Sequence, residues 1–116
     1  MRGCPYGVAF SSGTRFRVEI YIDVGDADEN ERILLGLEAS KAAIEAAVGD
    51  PLSWELLDGK RACRVALYTQ GSIDDPADRL ETYRSWAIQK LLRFRDAFPS
   101  RVQPLLAGSN GAHGSA

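Results

Sequence analysis

The chain has 116 residues and a formal net charge of −2, from 14 Lys and Arg against 16 Asp and Glu. At roughly 100–200 residues per domain, that length holds one domain. No apolar run approaches the ~20 residues needed to span a bilayer, and the N-terminus lacks the apolar stretch of a secretory signal, so the expectation is no membrane and no export.

Tyr6 to Phe10 reads as a short strand, and Ser11, Ser12 and Gly13 as a turn. Arg15 to Asp23 then alternates strictly. Phe16, Val18, Ile20 and Ile22 share one face, and Arg15, Arg17, Glu19, Tyr21 and Asp23 share the other. That is a half-buried strand, and with the first it makes an antiparallel hairpin.

A helix follows, with Asp28 as a cap three residues before Glu31. Ile33, Leu37, Ile44 and Val48 keep one helical face up to Gly49 and Pro51, which stop it. Ser53 to Tyr68 reads as a second hairpin around a two-residue Asp58-Gly59 turn. Trp54, Leu56, Cys63, Val65 and Leu67 face inward there. The last element is a long helix that opens at Asp75-Pro76 and stops at Phe98-Pro99. Its stripe is Leu80, Tyr83, Ala87, Leu91, Phe94 and Phe98. From Ala107 the chain is a Gly/Ser/Ala tail, expected to be disordered.

The order ββαββα predicts an α+β domain over residues 1–106, with a tail over 107–116. Its four-stranded antiparallel sheet carries two helices packed on one face. The other face then presents Arg15, Arg17, Glu19, Tyr21, Glu55, Arg64 and Tyr68. Such a face is either simply solvated, with cross-strand charge pairs, or a binding platform, since Arg and Tyr are common at hot spots.

The charge is uneven. Residues 23–58 hold ten acids and two bases, and residues 84–101 hold five bases and one acid. Acids at helix starts and bases at helix ends account for this through the helix dipole; separate acidic and basic surfaces are the other reading.

Several chemistries lack their residues. Two cysteines, Cys4 and Cys63, with no C-x-x-C, suit a reducing cytoplasm. The one histidine, His113, is in the tail, so no zinc site of the usual kind is expected, and no other metal or cofactor. The acidic run Asp23 to Glu31 lacks the spacing of a calcium loop. There is no phosphate-binding glycine loop. Glu19, Asp23, Glu55 and Lys60 are the candidates for a metal-dependent nuclease. Glu19 and Glu55 pair more naturally with Arg17 and Arg64. Cys63 sits on the core face without a histidine to activate it.

Arg17-Val18-Glu19-Ile20-Tyr21-Ile22-Asp23, then Leu52-Ser53-Trp54-Glu55-Leu56-Leu57-Asp58-Gly59-Lys60-Arg61-Ala62-Cys63-Arg64-Val65, carry a resemblance. Ser72 to Asp75 and Trp86 complete it. Over residues 6–101 the chain resembles an uncharacterised prokaryotic domain of unknown function. That domain sits C-terminal to restriction-endonuclease-like domains with the PD-(D/E)xK core. Cys63 stands where a small residue, usually Ser, is expected. The resemblance implies no catalytic residues. It implies work on or near DNA, in defence against foreign DNA, as the end piece of a larger protein or as a free-standing copy.

The expected function is therefore a non-catalytic accessory domain that binds nucleic acid or a protein partner, either DNA or an upstream nuclease-like domain. Arg17, Tyr21, Lys60, Arg61, Arg64 and Tyr68 form the expected contact set. A dimerisation module built on exposed strand edges is the alternative, and a small metal-dependent nuclease the third. The acidic pI of about 5.4 speaks against strong independent DNA binding.

Overall fold

A computed structural model describes residues 2–11 and 14–114, with side chains through residue 108. The expected turn at Ser12 and Gly13 lies outside the described residues. The alternating segment forms strand β2 (Arg15–Ile22), and strand β1 (Tyr6–Ser11) pairs with it in antiparallel fashion, Val8 opposite Val18. β3 (Ser53–Leu56) and β4 (Cys63–Gln70) form the second hairpin. β2 also pairs antiparallel with β4, giving one sheet of order β1-β2-β4-β3. Strand alternation then places Phe16, Val18, Ile20, Ile22, Cys63 and Val65 on one buried face.

The expected element order is corrected to ββααββαα, with four helices. The helix expected up to Gly49 is two, α1 (Ala27–Glu38) and α2 (Lys41–Val48). Near Ala39 the ladder tightens: Ser40 N–H donates to the Leu37 carbonyl, and Ser40 starts the next helix. Ser40 makes no side-chain capping bond there; serine is simply a weaker helix former than the alanines around it. The break lets α1 lie on the sheet while α2 turns against the next helix, so the apolar period survives but the axis does not.

That next helix, α3 (Ala77–Ala97), ends at Phe98, as expected. Pro99 also opens a fourth helix, α4 (Pro99–Gly114), which packs on α1. Proline ends one helix and suits the first turn of another because it brings no N–H. Phe98 and Val102, four residues apart, are both fully buried and pin the corner. The α4 backbone continues into the segment expected as a tail. Residues 115–116 lie outside the described residues.

Two caps also move. α1 is capped by Asp26, not Asp28: its carboxylate accepts from Glu29 N–H at 2.9 Å. Asp75 does not cap α3; its carboxylate accepts from Ser72 N–H at 3.0 Å and from the Tyr83 hydroxyl. The β3–β4 connection is not a two-residue turn, since it runs from Leu57 to Ala62 and only Gly59 has positive φ. A type I′ turn needs two such residues.

Asn30 accounts for that wider loop. It is completely buried in α1, and its Nδ2 donates to the Arg61 carbonyl at 2.9 Å and to Asp23 Oδ1 at 3.1 Å. Its Oδ1 accepts from Val24 N–H at 2.7 Å. One side chain thus ties the end of β2, the start of α1 and the β3–β4 loop.

Candidate functional site

The helices cover one sheet face and leave the other without a helix over it. Register puts Tyr21 opposite Arg64, Arg17 opposite Tyr68, and Glu55 opposite Arg64 on that uncovered face. Four of the six expected contact residues, Arg17, Tyr21, Arg64 and Tyr68, are therefore neighbours. Lys60 and Arg61 are elsewhere, on the exposed β3–β4 loop.

The uncovered face is held by its own charges. Glu19 is only 8% exposed although it faces away from the core, because Gly7 and Ala66 flank it and leave room for it to lie flat. Its Oε1 accepts from Arg17 Nε at 2.5 Å and from Arg64 Nη1 at 3.2 Å. Arg64 Nε lies 3.4 Å from Glu55 Oε1, an ion pair without hydrogen-bond geometry. The Tyr68 hydroxyl donates to Glu55 Oε2 at 2.7 Å, and the Arg15 guanidinium sits 4.0 Å from the Tyr68 ring centre. Burial and the Glu55 carboxylate both push the Tyr68 hydroxyl above its ordinary range, so it remains a donor.

Arg61 is spoken for as well. Its Nε donates to both carboxylate oxygens of Asp23, at 2.9 and 3.1 Å. Arg61, the Gly25 N–H and Asn30 together hold the Asp23 carboxyl below its usual value. Lys60 has no salt bridge among the described residues.

Both cysteines are buried. Cys4 is fully buried and its thiol is pushed up to about 11 by burial. Burial likewise raises Cys63, with Glu31 and Asp23 adding to the effect. A thiol kept protonated is a poor nucleophile. Among the described residues, no three His, Cys, Asp or Glu side chains come together to hold a metal ion. No described helix is long and apolar enough to cross a membrane.

Residues 1–102 match the model of a family described as a domain of unknown function, DUF4268. The chain belongs to the DUF4268 family. No curated protein and no solved structure matches it.

The DUF4268 chain has a second surface that the sequence did not single out. A groove of about 450 Å³ runs between β1 and α3, lined by Val8, Phe10, Ile73, Ala87, Ile88 and Leu91 among others. Three large apolar side chains along it are strongly exposed: Val8 at 49%, Ile73 at 67% and Ile88 at 49%. Arg84 is the one charged side chain in its lining. The sequence signal was faint: Ile88 falls off the α3 stripe and Ile73 sits in a turn. Neither reads as a surface until β1 is placed beside α3.

Proposed function

We propose that this DUF4268 domain is a non-catalytic binding domain, an accessory to a larger protein or assembly, and that its partner is a protein. The pairing of the expected contact arginines supports this reading most directly. Binding to nucleic acid draws on cations that replace the counterions of the phosphates. Arg17 and Arg64 would have to leave a nearly buried Glu19, and Arg61 would have to leave Asp23. A protein partner needs no such exchange, and protein interfaces typically centre on an apolar patch with a polar rim. The β1–α3 groove supplies such a patch. The resemblance to domains that accompany restriction-endonuclease-like domains supplies the setting: DNA defence, with a nuclease-like domain as the first partner to test.

Nucleic-acid binding is the second reading. In its favour, Lys60, Arg93 and Arg95 are exposed and have no salt bridge among the described residues.

Fluorescence anisotropy with a short labelled DNA duplex, at about 50 and 200 mM salt, separates the two. The expected result is no saturable binding. Tight binding that falls steeply with salt would overturn the protein-partner reading. Calorimetry against a PD-(D/E)xK-type domain taken from a protein that also carries a DUF4268 domain is expected to show saturable binding.

A further inference from the structure

We infer that this chain pairs with a second copy of itself through the free edge of β1, with α3 of each copy antiparallel to α3 of the other across the groove. This rests on the protein-partner reading above and names the partner that takes this groove.

The backbone comes first. Tyr21 N–H donates to the Pro5 carbonyl at 2.8 Å, and Asp23 N–H to the Gly3 carbonyl at 2.7 Å. In an antiparallel ladder such pairs alternate, so Gly7 and Ala9 also bond toward β2. The N–H and C=O groups of Tyr6, Val8 and Phe10 therefore point outward from the sheet. β1 is an edge strand, YGVAFS, with no charged residue and no proline to discourage pairing. The opposite edge, β3, is shorter and carries Glu55.

The strand is its own complement. Val8 is flanked by the small Gly7 and Ala9, and these by the aromatic Tyr6 and Phe10. A two-fold axis through Val8 sets Val8 against Val8, and Tyr6 of each copy against Phe10 of the other. In that register the outward groups of Tyr6, Val8 and Phe10 all find partners. Aromatic and β-branched residues directly opposite one another also pack well. The two sheets become one of eight strands, four from each copy, with both sets of helices on one face.

The same axis places the helices. α3 begins at the end of the sheet where Gln70 lies opposite Arg15 and Gly71 N–H donates to the Thr14 carbonyl. It then runs over β2 toward the Ile22 end, antiparallel to β1. The Phe10 ring lies 6.2 Å from the Tyr83 ring. Val8 is about 7 Å further along the strand, which is about 4–5 residues of helix. That reaches Ile88, which lines the groove with Val8. Ile88 of one copy thus faces Ile88 of the other.

Charge agrees with this register. Glu81 and Arg95 stand seven residues to either side of Ile88, two turns away on the same flank, and both are exposed. The axis brings Glu81 of each copy level with Arg95 of the other. Arg84, already paired with Glu81, comes level with Leu92 of the copy. The ends of the helix are complementary more widely. Residues 74–84 hold four acids and two bases, and residues 90–101 hold four bases and one acid. Antiparallel helices set each acidic end against a basic one. Val8, Ile73, Ile88 and Leu92, all strongly exposed in the single chain, lie on the flank that the copy covers.

Sedimentation velocity on the whole chain, from about 5 to 500 µM, should show a monomer–dimer equilibrium. Amide exchange should slow about tenfold or more at Tyr6, Val8 and Phe10 as the dimer forms, and stay unchanged at Gly7 and Ala9. Val8→Lys places like charges against each other on the axis and should leave a folded monomer with dispersed amide signals. Glu81→Lys and Arg95→Glu, both on the exposed flank, should each weaken the dimer about tenfold. An equimolar mixture of these two variants should recover it, because each changed charge then meets an opposite one. A monomer at every concentration overturns the inference. So do a dimer that survives Val8→Lys, equal protection along β1, and a mixture no tighter than its components. If the chain stays monomeric while the DNA titration stays silent, only this interface is lost. Salt-sensitive DNA binding would instead remove the reading it rests on.

Discussion

Arg64 donates to Glu19 at 3.2 Å across the β2–β4 ladder, on the sheet face that no helix covers. The two are diagonal rather than directly opposite, since Tyr21 faces Arg64 and Ala66 faces Glu19. The alanine and glycine beside Glu19 let the carboxylate lie down between the strands. A face that alternation marks as polar is thereby partly dry, and its charges are structural before they are anything else.

Removing Arg64 should therefore cost stability even though it lies outside the core. Arg64→Ala leaves Glu19 with Arg17 alone and Glu55 without its cation. A loss of about 1–3 kcal/mol is expected by urea denaturation, between an exposed pair and a fully buried one. The double variant Arg64→Met/Glu19→Gln should lose less than the sum of the single changes, because each single change already breaks the Arg64–Glu19 contact and the double variant breaks it only once.

Asn30 should be the most sensitive polar residue. Asn30→Ala leaves the Val24 N–H and the Arg61 carbonyl without their partner, at about 1–3 kcal/mol each. Asn30→Asp is no remedy, because it sets a second carboxylate against Asp23 and an acceptor against the Arg61 carbonyl. Both variants should melt well below the parent, and the β3–β4 loop amides should exchange faster.

Gly36 holds α1 and α4 together by absence. A Cβ there would lie 2.6 Å from Leu105 Cδ2. Helix propensity alone would make Gly36→Ala favourable by about 1 kcal/mol. The contact reverses that sign unless Leu105 moves. Limited proteolysis should cut α4 faster in Gly36→Ala, and Leu105→Ala in the same chain should restore resistance.

Acid should weaken the fold through three carboxylates held low. Arg61, the Gly25 N–H and Asn30 lower Asp23; the Leu52 N–H and the Trp54 indole lower Glu45; the Tyr83 hydroxyl and the Ser72 N–H lower Asp75. Each has a native value below its unfolded one, so the native state binds fewer protons. The stability they contribute is complete above the ordinary carboxylate range, about 4–4.5, and is lost as the pH falls through the lowered native values. Melting temperature should hold from about pH 7 to 5 and drop below about 4, with a shallower drop in Asp75→Asn.

Much of this architecture was legible in the residues, for reasons that are local. Strict alternation from Phe16 to Ile22 made β2 readable, because a strand with one buried face has a period of two. The stripe from Leu80 to Phe98 made α3 readable in the same way. Gly49 marked a helix end because only a left-handed residue closes it there, and its φ is +91°. The break at Ser40 stayed hidden because Ile33, Leu37, Ile44 and Val48 keep a helical phase through it. α4 stayed hidden because Pro99 reads as a stop until Phe98 and Val102 are seen to share one buried corner.

The candidate sites divide the same way. The sequence by itself determined the strands, the long helix, the polar character of the uncovered face and the pairing tendency of its glutamates. These follow from periodicity and from charges that must be neutralised near one another. Only the tertiary structure decided that Lys60 and Arg61 stand apart from the other four contact residues, because Asn30 and Asp23 hold their loop against α1. Only the tertiary structure set β1 beside α3, with five elements between them in the chain. The groove between them depends on that packing, and no local pattern in either segment records it.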